Sequence, residues 1–175
     1  VLIITTPRLE LRSATESLVH AEIHDRQELA RRLGAVVSES WPPPTLIDAL
    51  PWFLEQMQKR PESDGWFTWY AMRHDLRSPA LIASGGFKGP PQGDGTVEIG
   101  YSVLSDHQRL GIATEMVRAL CLWAFAHTEV AQILAETDCD NVASRRVLEK
   151  NGFVPLGAAV DLLEIRFALT RECIK

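Results

Sequence analysis

A chain of 175 residues is long enough to bury a sizeable core as one domain, residues 1–175. Its 46% hydrophobic and 23% charged content is that of a soluble globular protein, and no apolar run approaches a membrane span. A net charge of −5 leaves no basic footprint for nucleic acid, although an acidic surface suits a cationic amine.

Val1–Ile4 is too short for a signal peptide and lacks a basic leader, so it reads as an edge strand. Leu9-Glu10-Leu11-Arg12 alternates apolar and polar residues, as a half-buried strand does. From Glu16 to Leu33, apolar residues at 18, 19, 23, 29, 30 and 33 fit one helix or two short ones, with Gly34 as the stop. Trp41-Pro42-Pro43-Pro44 must be extended or turned, because proline fixes φ and has no N–H. Thr45 to Arg60 has a helical apolar period, and Pro51 within it can instead open the helix at Ala49 or Leu50. Trp66–Arg73, Leu81–Phe87 and Thr96–Leu104 read as three strands of an antiparallel meander. Gly85-Gly86 marks a bulge or a close backbone approach.

Helix periodicity resumes from about Ile112 to His127, so a short loop, Gln108-Arg109-Leu110-Gly111-Ile112-Ala113-Thr114, joins strand to helix. The first N–H groups of a helix have no partner within it, and the helix dipole adds positive charge there. Such a loop can hold a phosphate or pyrophosphate, and Gly111 lets the ligand approach the backbone. Neither the P-loop nor the dinucleotide glycine pattern is present. Next come a strand at Gln132–Thr137, a helix at Asn141–Asn151 ended by Gly152, and a last strand region that begins at Phe153 and runs, after a loop, through about Glu164–Arg171. The order is that of an α/β (α+β) domain with a mixed sheet. Cys121, Cys139 and Cys173 are scattered and odd in number, without zinc spacing. They read as reduced thiols of a cytoplasmic protein, and no metal is expected.

Gln108-x-x-Gly111-x-Ala113 resembles the acyl-CoA pyrophosphate loop of the GNAT N-acyltransferases. Thr114-Glu115 follows, as in the RimJ/RimL-like branch. Asn141-Val-Ala-Ser144 through Gly152-Phe153, Val97-Glu98-Ile99-Gly100-Tyr101 and the opening Thr6-Pro7-Arg8-Leu9 resemble that branch too. The resemblance implies the GNAT fold: a mostly antiparallel twisted sheet flanked by helices, with two central strands splayed around acetyl-CoA. It implies that backbone at Ser102, Val103 and Leu104 pairs with the pantetheine arm. The N–H groups of Arg109 to Thr114, through Leu110, Gly111, Ile112 and Ala113, would hold the pyrophosphate, with side chains from Gln108 and Arg109. Arg109 reads equally well as a solvated charge.

Asn141 either caps its helix or bonds the pantetheine arm. Ser144 is either an ordinary first-turn residue or lies near the thioester sulfur, where many GNAT enzymes use a tyrosine that this helix lacks. Glu98 is the leading base for the attacking amine, with Glu164, His74 and His107 behind it. The expected activity is transfer of acetyl from acetyl-CoA to a primary amine, on a protein N-terminus or a small molecule. The alternative is a non-catalytic acyl-CoA-binding sensor. The Trp41–Pro44 segment is either a connector or a wall of the acceptor pocket, and Trp41, Trp52, Phe53 and Trp66 are either pocket or core. Family members often dimerise, but nothing in the chain fixes an interface.

Overall fold

The computed structural model describes residues 1–158 and 163–174. The loop expected before the last strand lies mostly outside them. In chain order the elements are β1 (Ile3–Thr5), β2 (Leu9–Ser13), α1 (Glu16–His24), α2 (Arg26–Leu33), β3 (Val36–Val37), α3 (Pro44–Ile47), α4 (Leu50–Lys59), β4 (Thr68–Arg73) and β5 (Ala80–Phe87). They continue with β6 (Thr96–Val103), α5 (Ile112–Phe125), β7 (Gln132–Asp138), α6 (Val142–Lys150), β8 (Val154–Ala158) and β9 (Glu164–Thr170). The strands form one sheet in the order β1-β2-β4-β5-β6-β7-β9-β8, with β3 beside β5. Among the described residues only β6–β7 and β3–β5 pair in parallel. This is the mixed, mostly antiparallel sheet that the sequence implies.

Local chemistry sets the breaks. Asp25 is extended (φ −150°), so it ends α1, and its carboxylate accepts from Gln27 and Glu28 N–H to begin α2. The 16–33 stretch is therefore two helices, and Gly34 closes the second at φ +64°. The single helix expected over 45–60 is also two, α3 and α4. Ala49 is the N-cap of α4, and Pro51 falls in its first turn, where a missing N–H breaks no bond. Gly86 marks a close approach: a Cβ there would lie 1.8 Å from the Phe67 carbonyl oxygen. The bulge expected nearby sits instead on the β4–β5 ladder, between Ala71 and Met72.

The sheet separates two cores. On one side Leu9, Leu11, Trp69 and Ile82 pack with Met116, Val117, Leu120 and Cys121 of α5. On the other, Tyr70, Met72, Leu81 and Leu104 pack with Val19 and Leu29 of the α1–α2 pair and with Trp41 and Leu50. β4 feeds both cores because successive side chains point to opposite faces. Trp41 and Trp66 are core residues, whereas Trp52 is exposed.

The second core contains a carboxyl. Glu22 is 8% exposed and accepts from Trp41 Nε1 at 2.8 Å and Tyr70 Oη at 2.6 Å. These bonds tie α1, the proline segment and β4 together. Burial raises the Glu22 carboxyl from 4.5 to about 7, against the opposing pull of the Tyr70 and Trp41 bonds. Because the folded value lies above the unfolded one, the folded state keeps a proton that the unfolded chain releases in that window. The Glu22 contribution therefore falls as pH rises from about 4.5 to 7, by about 3 kcal/mol. Glu22→Gln removes this titration. In urea unfolding series, the variant is expected to gain on wild type by roughly that amount across the window. A gap that stays constant with pH contradicts the buried, protonatable Glu22.

Candidate active site

The parallel pairing of β6 with β7 is short: Thr96↔Gln132, Val97↔Ile133 and Glu98↔Leu134. Beyond Glu98, β6 stays paired with β5 as far as Val103↔Ala83. β7 stays paired with β9 as far as Asp138↔Glu164. The two strands therefore part after Glu98 and leave a fork. The β5–β6 register fixes which backbone groups face it. Lys88 N–H donates to Glu98 O at 3.0 Å, and Leu104 N–H donates to Ile82 O at 2.9 Å, in one alternating phase. Gly100 and Ser102 share that phase and face β5, while Ile99, Tyr101 and Val103 face the fork. Of the three residues implied as backbone partners, Val103 is turned to the fork; Ser102 and Leu104 are turned away. The sequence could not settle this, because a shift of one residue reverses every assignment.

The Gln108–Thr114 turn closes one end of the fork. Gln108 Nε2 donates to the Val103 carbonyl at 3.0 Å, so that side chain anchors the loop to β6. Arg109 has φ +60° and Gly111 φ +79°, and Arg109 is the one non-glycine residue at positive φ among the described residues. Side chains of Thr15, Asp25 and Asn141 cap α1, α2 and α6, whereas α5 begins at Gly111 with no side-chain cap. Its first bond runs from Glu115 N to Gly111 O. The N–H groups of Ile112, Ala113 and Thr114 precede that bond, at the positive end of the dipole. A phosphate group fits this end of the helix.

α6 lies across from β6. Asn141 Oδ1 accepts from Ser144 N–H at 3.0 Å, so its oxygen serves the cap and its amide nitrogen remains for a ligand. Ser144 Oγ shares a hydrogen bond of 2.8 Å with Tyr101 Oη, which also donates to Ser144 O at 3.1 Å. Burial pushes the Tyr101 phenol up to about 12; the Ser144 bond opposes this and Cys121 adds to it. Sequence reasoning placed Tyr101 only within a strand. The missed signal was alternation: Tyr101 shares a face with Val97 and Ile99, the face that packs under α5 and α6.

Glu98 stands at the fork itself, partly buried, with its carboxylate ion-paired to the Lys88 ammonium. On the same face of the sheet, Glu136 is held by Arg166 Nε at 2.7 Å, and Glu164 pairs in register with Asp138 at the wide end. Glu164 makes no ion pair among the described residues. His74 Nε2 contacts the Thr6 carbonyl at 3.1 Å, and His107 Nδ1 is covered without a hydrogen-bond partner. Cys121 is buried and Cys139 exposed. Among the described residues no three His, Cys, Asp or Glu side chains are grouped to hold a metal, and no helix is long and apolar enough to cross a membrane.

Residues 8–154 match the family described as Acetyltransferase (GNAT) domain. The chain belongs to the GNAT acetyltransferase family. The Bacillus subtilis (strain 168) protein called uncharacterized N-acetyltransferase YjdG is 29% identical over 153 residues, 87% of this chain and 90% of its own. Among solved structures, the ribosomal-protein-S5-alanine acetyltransferase of Vibrio fischeri superposes with a TM-score of 0.68 at 18% identity, over 100% of both chains. Mycobacterium smegmatis RimJ in complex with CoA-disulfide gives 0.65 at 18% identity, over 94% of this chain and 82% of its own. The splayed mixed sheet is thus a GNAT fold, and GNAT enzymes transfer acetyl groups from acetyl-CoA.

The turn geometry has a measurable cost. Gly111→Ala places a Cβ at φ +79°, 3.4 Å from Arg8 Nη2, and is expected to lose roughly 1–2 kcal/mol in urea unfolding. Arg109→Gly, where the backbone is already left-handed, is expected to lose none. A Gly111→Ala protein as stable as wild type contradicts the described turn.

Proposed function

We propose that the protein is a RimJ/RimL-like N-acetyltransferase of the cytoplasm. It moves acetyl from acetyl-CoA to a primary amine, with a protein N-terminal α-amine as the first acceptor to test. The observation that carries this reading is the fork after Glu98, set beside an α5 N-terminus without a side-chain cap. The pantetheine amides pair with fork-facing backbone at Tyr101 and Val103, as an added strand would. The pyrophosphate sits on the N–H groups of Arg109 to Thr114, and the Asn141 amide nitrogen faces the pantetheine arm. The coenzyme complex of RimJ, and the ribosomal-protein name of the Vibrio fischeri enzyme, support the donor and the class of acceptor.

The amine attacks as its neutral form, since its lone pair is the nucleophile. Glu98 takes the proton released as the C–N bond forms. Its Lys88 partner competes for one oxygen, so the other carboxylate oxygen does this work. A fork-facing backbone N–H of β6 near Val103 donates to the thioester oxygen as it gains charge. The C–S bond then breaks, and the thiolate takes a proton from Ser144 Oγ; the Tyr101 hydroxyl, turning from the Ser144 carbonyl, replaces it across their 2.8 Å bond, and solvent returns a proton to Tyr101 and takes one from Glu98 as the products leave. Tyr101, pushed up to about 12 by burial, starts the step protonated at neutral pH. Holding both substrates side by side supplies much of the rate, up to roughly 7–11 kcal/mol in well-oriented systems.

Calorimetry with acetyl-CoA, followed by thiol release over N-terminal peptides and small primary amines, tests this reading. Binding with release from one acceptor class is expected. Binding without release from any acceptor supports the sensor alternative, and no binding removes the donor site. Glu98→Gln is expected to lower kcat at neutral pH by up to about 100-fold, with partial recovery at high pH. An unchanged pH–rate profile moves the base elsewhere.

A further inference from the structure

Arg8 lies on the approach to β2, far in sequence from the fork, yet its guanidinium reaches the turn. Nη1 donates to the Leu110 carbonyl at 2.8 Å, while Nε and Nη2 each lie 2.7 Å from Glu115 Oε2. The Arg8 backbone N–H and the Thr6 hydroxyl bond the other oxygen, Glu115 Oε1, at 2.9 and 2.6 Å. Leu110 is the residue between the two left-handed ones, Arg109 and Gly111. A left-handed non-glycine residue is strained and persists only where its surroundings hold it. Arg8 supplies that hold at the carbonyl between them.

Glu115 explains why an arginine is used. Its carboxylate lies in the first turn of α5, next to the N–H groups read above as the pyrophosphate site, and unpaired it would repel an anion there. Thr6 and Arg8 occupy both of its oxygens and cancel its charge. Burial works to raise the Glu115 carboxyl, but the bonds from Thr6 and Arg8 outweigh it, and the net shift is downward. Only a planar fork can bind Glu115 and reach the Leu110 carbonyl together.

We propose that Arg8 is a positioning residue for the donor. By bridging Glu115 to the Leu110 carbonyl it sets the Gln108–Thr114 turn in its anion-binding form and neutralises the carboxylate in the first turn of α5. This rests on the reading of that turn as the pyrophosphate site. A donor that lacks the pyrophosphate should not sense the loss of Arg8 in the same way.

The experiment compares acetyl-CoA with acetyl-pantetheine in wild type, Arg8→Ala and Arg8→Lys, each checked for folding by circular dichroism. The expected result is a wild-type preference in kcat/KM for acetyl-CoA that narrows about tenfold or more in both variants, through a raised KM for acetyl-CoA. Lysine keeps the charge but not the fork, so it does not rescue. A preference retained in folded Arg8→Ala, or restored by lysine, overturns the bridging role, as does an equal loss with both donors. A wild type without any preference overturns the pyrophosphate site itself, and the role of Arg8 with it.

Discussion

The structure turns on the point where two parallel strands stop pairing. β6 and β7 share three residue pairs and then separate, although each stays hydrogen-bonded to its antiparallel neighbour on the other side. A strand edge inside a sheet exposes N–H and C=O groups that need partners. Here the fork-facing groups belong to Ile99, Tyr101 and Val103, of which the Val103 carbonyl already accepts from Gln108 Nε2, and they line a slot open to an extended, amide-bearing molecule. Everything else assigned to the site is arranged around that slot. Glu98 stands at its apex, Ser144 and Tyr101 under α6 along one side, and the α5 N-terminus at its end.

The fork holds open because its two sides are anchored independently. Tyr101 sends its side chain under α6, so the helix rests on β6 while the backbone beside it stays unpaired. On the opposite face, Glu136 and Arg166 tie β7 to β9. The apolar stripe of α5, from Met116 to Ala124, packs across the sheet and fixes the direction in which its N-terminus points. Core packing thus aims the helix dipole, and the dipole marks the end of the slot where negative charge is favourable.

Much of this was legible in the sequence. Residues of special conformation announced themselves: Gly34 and Gly152 as left-handed stops, Pro51 as a first-turn proline, and Gly86 as a backbone crossing. The Gln108–Thr114 turn stood out because glycine and alanine fall where a strand hands over to a helix. What stayed hidden was contact between distant elements. Arg8 meets Glu115 across 107 positions, Tyr70 meets Glu22 across 48, and Tyr101 meets Ser144 across 43. Periodicity assigns a side chain to a face, but it does not say which element packs over that face. The same limit explains Ser102 and Leu104: the strand was recognised, but its hydrogen-bonding phase depends on pairing with β5.

The central claim is that the fork-facing backbone of β6 receives the donor. Site-resolved amide hydrogen exchange, with and without coenzyme A, tests it most directly. The Tyr101 and Val103 amides face the slot and should slow when the coenzyme binds, while the Ser102 amide, already paired with β5, should change little. Coenzyme binding that leaves Tyr101 and Val103 exchanging as before would contradict the account.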